Sequence, residues 1–254
     1  MVARAGHGCM GGEMIDVRWV WVFLDTAEAD AGRSWEFWAE VTRSRLADRR
    51  GPQDEFSTLL PRSGDAWVKL QAVGDGGGVH VDLDVDVPLS EAAEKTTRLG
   101  ATEVHRDSDF VVLRSPAGFT FCLTSWANAG SATTQVRDGE PDLLDQVCVD
   151  IPSEHYAREV DFWESLTGWP KRPGSLPEFV SLTRPDGIPV RFLLQRLGEA
   201  SGTARGHVDL ACRDRAASRD VHVAAGAEVV SEQEFWTVMH DPAGRTYCLT
   251  DRQP

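Results

Sequence analysis

The sequence predicts an α+β protein of two tandem, related domains, and two observations carry that expectation. The first is an internal repeat. FLDTAEADAGRSWEFWAEVT near the start reappears as CVDIPSEHYAREVDFWESLT, and FVVLRSPAGFTFCLT reappears as WTVMHDPAGRTYCLT. Between these ends Asp25 matches Asp150, Phe37-Trp38 match Phe162-Trp163, and Glu55-Phe56 match Glu178-Phe179. Gln71 matches Gln195, His80-Val81-Asp82-Leu83 match His207-Val208-Asp209-Leu210, and Gly100-Ala101 match Gly226-Ala227. The second observation is periodicity, with short runs of alternating polarity separated by stretches of helical spacing.

Taken in order, residues 1–14 read as a disordered leader without the apolar segment of a signal peptide, with Met10 or Met14 as alternative starts. The first domain is placed at 15–127. Val20, Val22 and Leu24 alternate with Trp19, Trp21 and Phe23, as in a strand with two distinct faces. A helix is expected from about Ser34, with Trp35, Trp38, Val41 and Thr42 on its inner stripe. Strands follow at Glu55–Leu60 and Ala66–Val73. The pattern then restarts with a strand at Val79–Val87, a helix capped by Ser90 and closed by Gly100, and strands near Thr102–Arg106, Phe110–Arg114 and Phe119–Thr124. Each half therefore reads as βαβββ-βαβββ, with one early strand unplaced. The small, polar stretch 128–140 is the linker, and the second domain occupies 141–252. There Ser153 is the expected helix N-cap, Tyr156, Val160 and Trp163 recur at helical spacing, and Gly168 is the stop.

Composition bounds the partners. The net charge of -14 over 254 residues excludes nucleic acid, whose binding needs Lys and Arg to neutralise phosphates. It fits either a cationic small ligand or solubility alone. No apolar run approaches the ~18 residues of a membrane span. Five cysteines, an odd count without a secretory signal, argue for free thiols in a reducing cytoplasm.

Strand parity selects the candidate site residues. His80, Asp82, Asp84 and Asp86 share one face, and Trp19, Trp21 and Phe23 share one on the first strand. Aromatics beside carboxylates suit a planar or cationic guest; the alternative is a solvated sheet face with tryptophans closing a domain interface. In the second half Gln146, Cys148 and Asp150 share a face, as do His207 and Asp209, and Thr246, Cys248 and Thr250. His207 with Asp209 is the candidate catalytic pair, a general base and a carboxylate, read as side by side and not as an oriented dyad. Trp236 opens a strand that could line the same face. The glycine-rich Gly74–Gly78 precedes a strand, so it reads as a loop and not as a phosphate cradle.

The phrases HVDL, GA-x-V and SPAGFTFCL / DPAGRTYCL resemble, as a set, the vicinal-oxygen-chelate superfamily of glyoxalases, bleomycin-resistance proteins and dioxygenases, from Val17 to Thr250. The resemblance implies a cupped eight-stranded mixed sheet in each domain, helices outside and a small-molecule ligand in the concave face. It also implies a divalent metal held from the first, fifth and eighth strands. Those positions fall on Gln146, His207 and Cys248 in the second half, and on Trp21, His80 and Cys122 in the first. The family's glutamate ligand is thus a cysteine in both halves. Trp21 cannot ligate, so no metal is expected in the first half, and its cup is left as a ligand site of Trp19, Trp21, His80 and Asp82. The second half, with Cys148 and Trp236 as further ligand contacts, would hold one divalent ion (Zn, Ni, Mn or Fe) or none. Two functions follow from the resemblance. One is a metal-assisted lyase, isomerase or dioxygenase acting on a small oxygenated metabolite through the second domain. The other is a non-catalytic protein that sequesters an antibiotic-like molecule. A monomer whose halves imitate a dimer and a homodimer both remain open.

Overall fold

The structure, a computed structural model, describes residues 14–127 and 142–254. The leader before Met14, with Met10, and the linker lie outside the described residues. In the first half β1 (Val17–Ala27) leads to α1 (Glu28–Val41), β2 (Arg45–Leu46), β3 (Phe56–Leu60), β4 (Val68–Val73) and β5 (Gly77–Val85). Then come α2 (Leu89–Arg98), β6 (Thr102–Arg106), β7 (Phe110–Arg114) and β8 (Thr120–Ser125). The second half repeats this order with β9 (Asp142–Ile151), α3 (Tyr156–Thr167), β10 (Lys171–Pro173), β11 (Phe179–Leu182) and β12 (Arg191–Arg196). It ends with β13 (Arg205–Cys212), α4 (Arg215–Ala224), β14 (Glu228–Glu232), β15 (Trp236–His240) and β16 (Thr246–Thr250).

Each half forms one eight-stranded sheet, ordered β2-β3-β4-β1-β5-β8-β7-β6 and β10-β11-β12-β9-β13-β16-β15-β14. A sheet is two βαβββ modules joined where their opening strands pair antiparallel, β1 with β5 and β9 with β13. Each opening strand also runs parallel to the last strand of its own module. The strand that periodicity left unplaced is β2, whose two residues are too short to show alternation.

The apolar parity behaves as expected. Val20, Val22, Leu24, Val81 and Leu83 are fully buried on the helix side of the first sheet. The helices, however, serve both halves. Phe37 and Trp38 of α1 lie 6.1 and 5.1 Å from the ring of Tyr247 on β16, and Phe162 and Trp163 of α3 lie 6.0 and 5.1 Å from Phe121 on β8. The core is therefore continuous between the two sheets.

Two buried polar junctions fix this exchange of helices, and they are built in opposite senses. In one, Asp241 in the β15–β16 turn accepts from Ser34 Oγ and Trp38 Nε1 of α1 at 3.0 and 2.9 Å, and pairs with Arg245 at 2.8 Å. At the matching junction the carboxylate sits on the helix. Glu159 of α3 accepts from Trp163 Nε1 and from the backbone N–H of Ala117, both at 2.8 Å, and the turn carries Ser115. Ser34 matches Glu159 and Asp241 matches Ser115, so acid and hydroxyl have traded places. Arg245, whose match is Phe119, also donates to the carbonyls of Gly78 and Asp25.

Three helix starts differ from expectation. The first helix begins at Glu28, before Ser34, because the small, acidic EADAG stretch shows little apolar signal. Ser90 falls inside the first turn of α2, whose cap position is Pro88 with no side-chain bond. Ser153 donates instead to the Glu199 carbonyl at 3.1 Å, and α3 begins only at Tyr156. Gly168 does stop α3, at φ 68° in the left-handed region that favours glycine. The glycine run contributes Gly77 and Gly78 to the start of β5.

Candidate functional site

Neighbouring strands of the second sheet turn alternate side chains to one face and tile a floor. Leu193 of β12 lies beside Cys148 of β9, which lies opposite His207 of β13. One step along, Gln146 lies opposite Asp209, which lies beside Cys248 of β16. Above this floor opens a cavity of about 560 Å³ walled by Phe179, Leu197, Phe235, Trp236 and Val238, with Arg252 also on its lining. His207 lines this hollow, between its half's opening and closing strands.

His207 is held from two sides. Its Nδ1 is 3.0 Å from Oδ2 of Asp150, and its Nε2 is 3.3 Å from Oδ1 of Asp209. His207 and Asp209 stand side by side on β13, and the carboxylate that orients the imidazole is Asp150 of the adjacent strand. Burial opposes a charged imidazole here, yet the carboxylates of Asp150 and Asp209 more than offset it and raise His207 well above its ordinary value. Burial pushes the Cys148 thiol up to about 12 and also raises Cys248, so both are thiols. The amide nitrogen of Gln146 donates to Oδ2 of Asp209, while Oδ1 of Asp209 is buried without a hydrogen-bond partner.

The first sheet carries the same framework with different filling. Asp25, Gln71, His80, Asp82 and Cys122 stand where the second has Asp150, Gln195, His207, Asp209 and Cys248. His80 Nδ1 again meets the neighbouring strand's carboxylate, Asp25, at 2.6 Å. The other positions are bulky: Trp21 replaces Gln146, Phe23 replaces Cys148, and Lys69 replaces Leu193. Phe23 stacks on His80 at 4.4 Å, and the Lys69 ammonium lies 4.2 Å over Trp21 and 5.0 Å from Phe23. Trp21 Nε1 donates to Asp84 at 3.1 Å, and buried Trp19 packs edge-on against Trp21 at 6.2 Å. Parity suggested a cationic guest among aromatics and carboxylates, and the chain supplies that cation itself. Burial lowers Lys69 from its ordinary value, while Asp82 and Asp84 favour its charge.

Of the residues singled out from sequence, Gln146, Cys148, His207, Asp209, Trp236 and Cys248 converge on one cavity. Trp19, Trp21, His80 and Asp82 gather in the other sheet. Sequence reading missed Asp150, Gln195 and Phe179 as site residues, although each was visible as a repeat landmark or face-mate. Arg252 carried no sequence signal.

Comparison with known proteins agrees with this architecture. A family model described as "Glyoxalase-like domain" matches residues 21–124 and 146–250, and the chain belongs to that family. Among solved structures, a Mn(II)-bound glyoxalase from Novosphingobium aromaticivorans is similar, with a TM-score of 0.66 and 14% identity, over 94% of this chain and 82% of that one. An extradiol ring-cleaving dioxygenase from B. fuscum follows with TM-score 0.64 and 14% identity, over 95% and 73%. A 2,2',3-trihydroxybiphenyl 1,2-dioxygenase from Sphingomonas wittichii strain RW1 has TM-score 0.60 and 14% identity, over 94% and 90%. At such identity the likeness is one of fold. No curated protein matches the sequence. No helix of the described residues is long and apolar enough to cross a membrane.

The fold family implies a metal, and the second floor fits one. Ligand atoms of His207, Asp209 and Cys248 lie within 4.8 Å of one another. Oδ1 of Asp209 accepts no other hydrogen bond and faces Nε2 of His207 at 3.3 Å, so the two atoms are placed to share one ion. The Asp150 contact is the outer hydrogen bond that metal-bound imidazoles usually make. Asp209 thus joins the donors expected from sequence, Gln146, His207 and Cys248, with Gln146 placed as its hydrogen-bond partner. His80, Asp82 and Cys122 form a similar group, but the Lys69 ammonium stands among them.

Proposed function

We propose that the second cup takes one small, largely apolar, oxygen-bearing molecule and acts on it as a metal-assisted lyase or isomerase. The supporting observation is that Asp150 fixes Nδ1 of His207, so that Nε2 faces Asp209 on the floor of an apolar cavity. His207, Asp209 and Cys248 would hold a divalent ion, and the nitrogen, oxygen and sulfur donors suit Zn²⁺. When bound, such an ion supplies a Lewis acid for a carbonyl or hydroxyl oxygen of the guest. The chain's own contributions are local. Asp150 keeps the proton on Nδ1, the Gln146 amide orients Asp209, and the edge-on rings of Phe179 and Trp236, 5.9 Å apart, exclude water. The floor offers one imidazole, whereas oxygen-dependent non-haem iron sites favour two with a carboxylate. Lyase or isomerase chemistry is therefore preferred to ring cleavage.

A second reading, sequestration without chemistry, is favoured by the floor's polar groups already pairing with one another: His207 bridges Asp150 and Asp209, and the Gln146 amide donates to Asp209. Zinc titration of chelator-treated protein against a chromophoric competitor separates the two. The expected result is about one equivalent bound, with proton release as the imidazole and thiol give up protons, and loss of both in His207→Ala. Absence of saturable binding overturns the metal-assisted reading and leaves sequestration.

A further inference from the structure

The Arg252 end of the cavity holds more positive charge than it uses. Asp145, almost fully buried, accepts from Arg252 Nη1 at 2.7 and 2.8 Å through its two oxygens, and Arg191 Nε stands 3.3 Å away. Arg184 also acts on Asp145 electrostatically, and Asp186 partly offsets the charge on Arg184. The neighbouring Asp251 is committed to Arg215 at 2.9 Å. Three guanidinium groups thus share one buried carboxylate.

Arg252 uses only Nη1 on Asp145. Its Nε and Nη2 are shielded and have no hydrogen-bond partner. Those two nitrogens form the side-on fork of the guanidinium, the edge whose parallel N–H groups match a carboxylate. Leaving such donors buried and unpaired is costly, and Arg252 lines the cavity. The cluster belongs to the second half alone. Where the second half has Asp145, Arg191 and Arg252, the first has Val20, Trp67 and Trp126. The charge surplus and this cavity therefore occur in the same half.

We propose that the guest of the second cup carries an anionic group of carboxylate type, received by Arg252, whose Nε/Nη2 fork is shielded and unpaired and turns to the guest on binding. This rests on reading the cup as a small-molecule site. Arg191 lies beside Gln146 in register, and Gln146 lies opposite Asp209. The cationic end is thus separated from the Asp150 end of the floor by the Gln146 amide. A guest anchored on Arg252 lays its apolar body against Trp236 and Val238 and turns its far end over His207.

The test uses the full chain and a pair of isosteric probes, 2-naphthoate and 2-naphthamide, with tryptophan fluorescence and calorimetry as readouts. The wild type is expected to bind the acid roughly tenfold or more tightly than the amide. Arg252→Gln is expected to lose roughly tenfold to a hundredfold for the acid, the range of a charge-assisted hydrogen bond, and little for the amide. Since Arg252→Gln leaves Asp145 to Arg191 and Arg184 alone, the double variant Arg252→Gln/Asp145→Asn, which removes the carboxylate as well, should show the same loss of preference. Equal affinity for acid and amide, or a preference that survives both variants, overturns the proposal while the small-molecule reading stands. Binding of neither probe overturns both.

Discussion

Removing the Asp241 carboxylate is the sharpest test of how the halves are joined. Its side chain is fully buried and serves five donors. Oδ2 accepts from Ser34, Trp38 and Arg245 Nη1, and Oδ1 accepts from the backbone N–H of Ala243 and Arg245, both at 2.9 Å. Asp241→Ala leaves an indole N–H, a hydroxyl and a guanidinium only 6% exposed without their acceptor. Breaking a buried ion pair from one side costs about 3–5 kcal/mol, a large part of the ~5–15 kcal/mol that holds a typical domain folded. Arg245→Met should cost less, because Asp241 keeps four donors. The double variant should recover part of the loss, with a coupling of about 2 kcal/mol. Urea denaturation followed by tryptophan fluorescence and by circular dichroism reads all three as midpoint shifts. A cost below about 1 kcal/mol for Asp241→Ala, or strict additivity in the double variant, would refute the view that this junction is a coupled buried lock.

Further perturbations address the two cups. Asp150→Asn removes the carboxylate at Nδ1 of His207, so the imidazole should titrate at lower pH than in the wild type, as read by NMR of the ring protons. The raised folded value means that the charged imidazole stabilises the fold below its ordinary value near 6.5 and that this contribution fades as pH rises through the folded value. In Asp150→Asn the contribution should be smaller and its fading complete at lower pH. Lys69→Met removes the cation over Trp21 and Phe23, and about 0.5–2 kcal/mol of denaturation stability should go with it. An unchanged midpoint and an unchanged Trp21 emission would speak against a filled first cup. Gly206→Ala places a methyl 2.7 Å from the Phe119 ring and 3.3 Å from the Val79 carbonyl, where the two sheets meet. A loss of about 1–3 kcal/mol is expected from such overpacking, and a neutral result in thermal unfolding would show that the junction yields.

The duplicated α+β architecture was legible because repeat and parity are properties of the chain itself. Val20, Val22 and Leu24 had to face the helices, and that alone turned Trp21, Phe23 and Asp25 to the other side. The same logic placed His207, Asp209, Gln146 and Cys248 on one floor. What stayed hidden depends on pairing between strands. Asp150 could be assigned a face but not a partner, since its contact with His207 follows from the antiparallel register of β9 and β13. The helix starts at Glu28, Leu89 and Tyr156 were obscured for a local reason: none of these helices is capped by a side-chain bond. Arg252 joins the cavity only because the chain beyond β16 returns to the buried Asp145, a contact across 107 positions that no periodicity announces.

The two cups also show how a duplicated site diverges without losing its frame. The His-Asp-Cys core and its orienting aspartate are common to both sheets, so their presence in the first half cannot by itself signify function. The difference lies in three neighbours. Gln146, Cys148 and Leu193 leave room above the floor, and Trp21, Phe23 and Lys69 take that room. Lys69 does so with a positive charge, placed where the carboxylates Asp82 and Asp84 would otherwise face each other uncompensated and where burial raises both. A cup that internalises its cation needs no external one. The second cup keeps an apolar leucine at that position and gathers its surplus positive charge at Arg252, beside open space instead of within it. The same duplicated floor thus holds an internal cation beside its carboxylates in one half and lies under a cavity with Arg252 on its lining in the other.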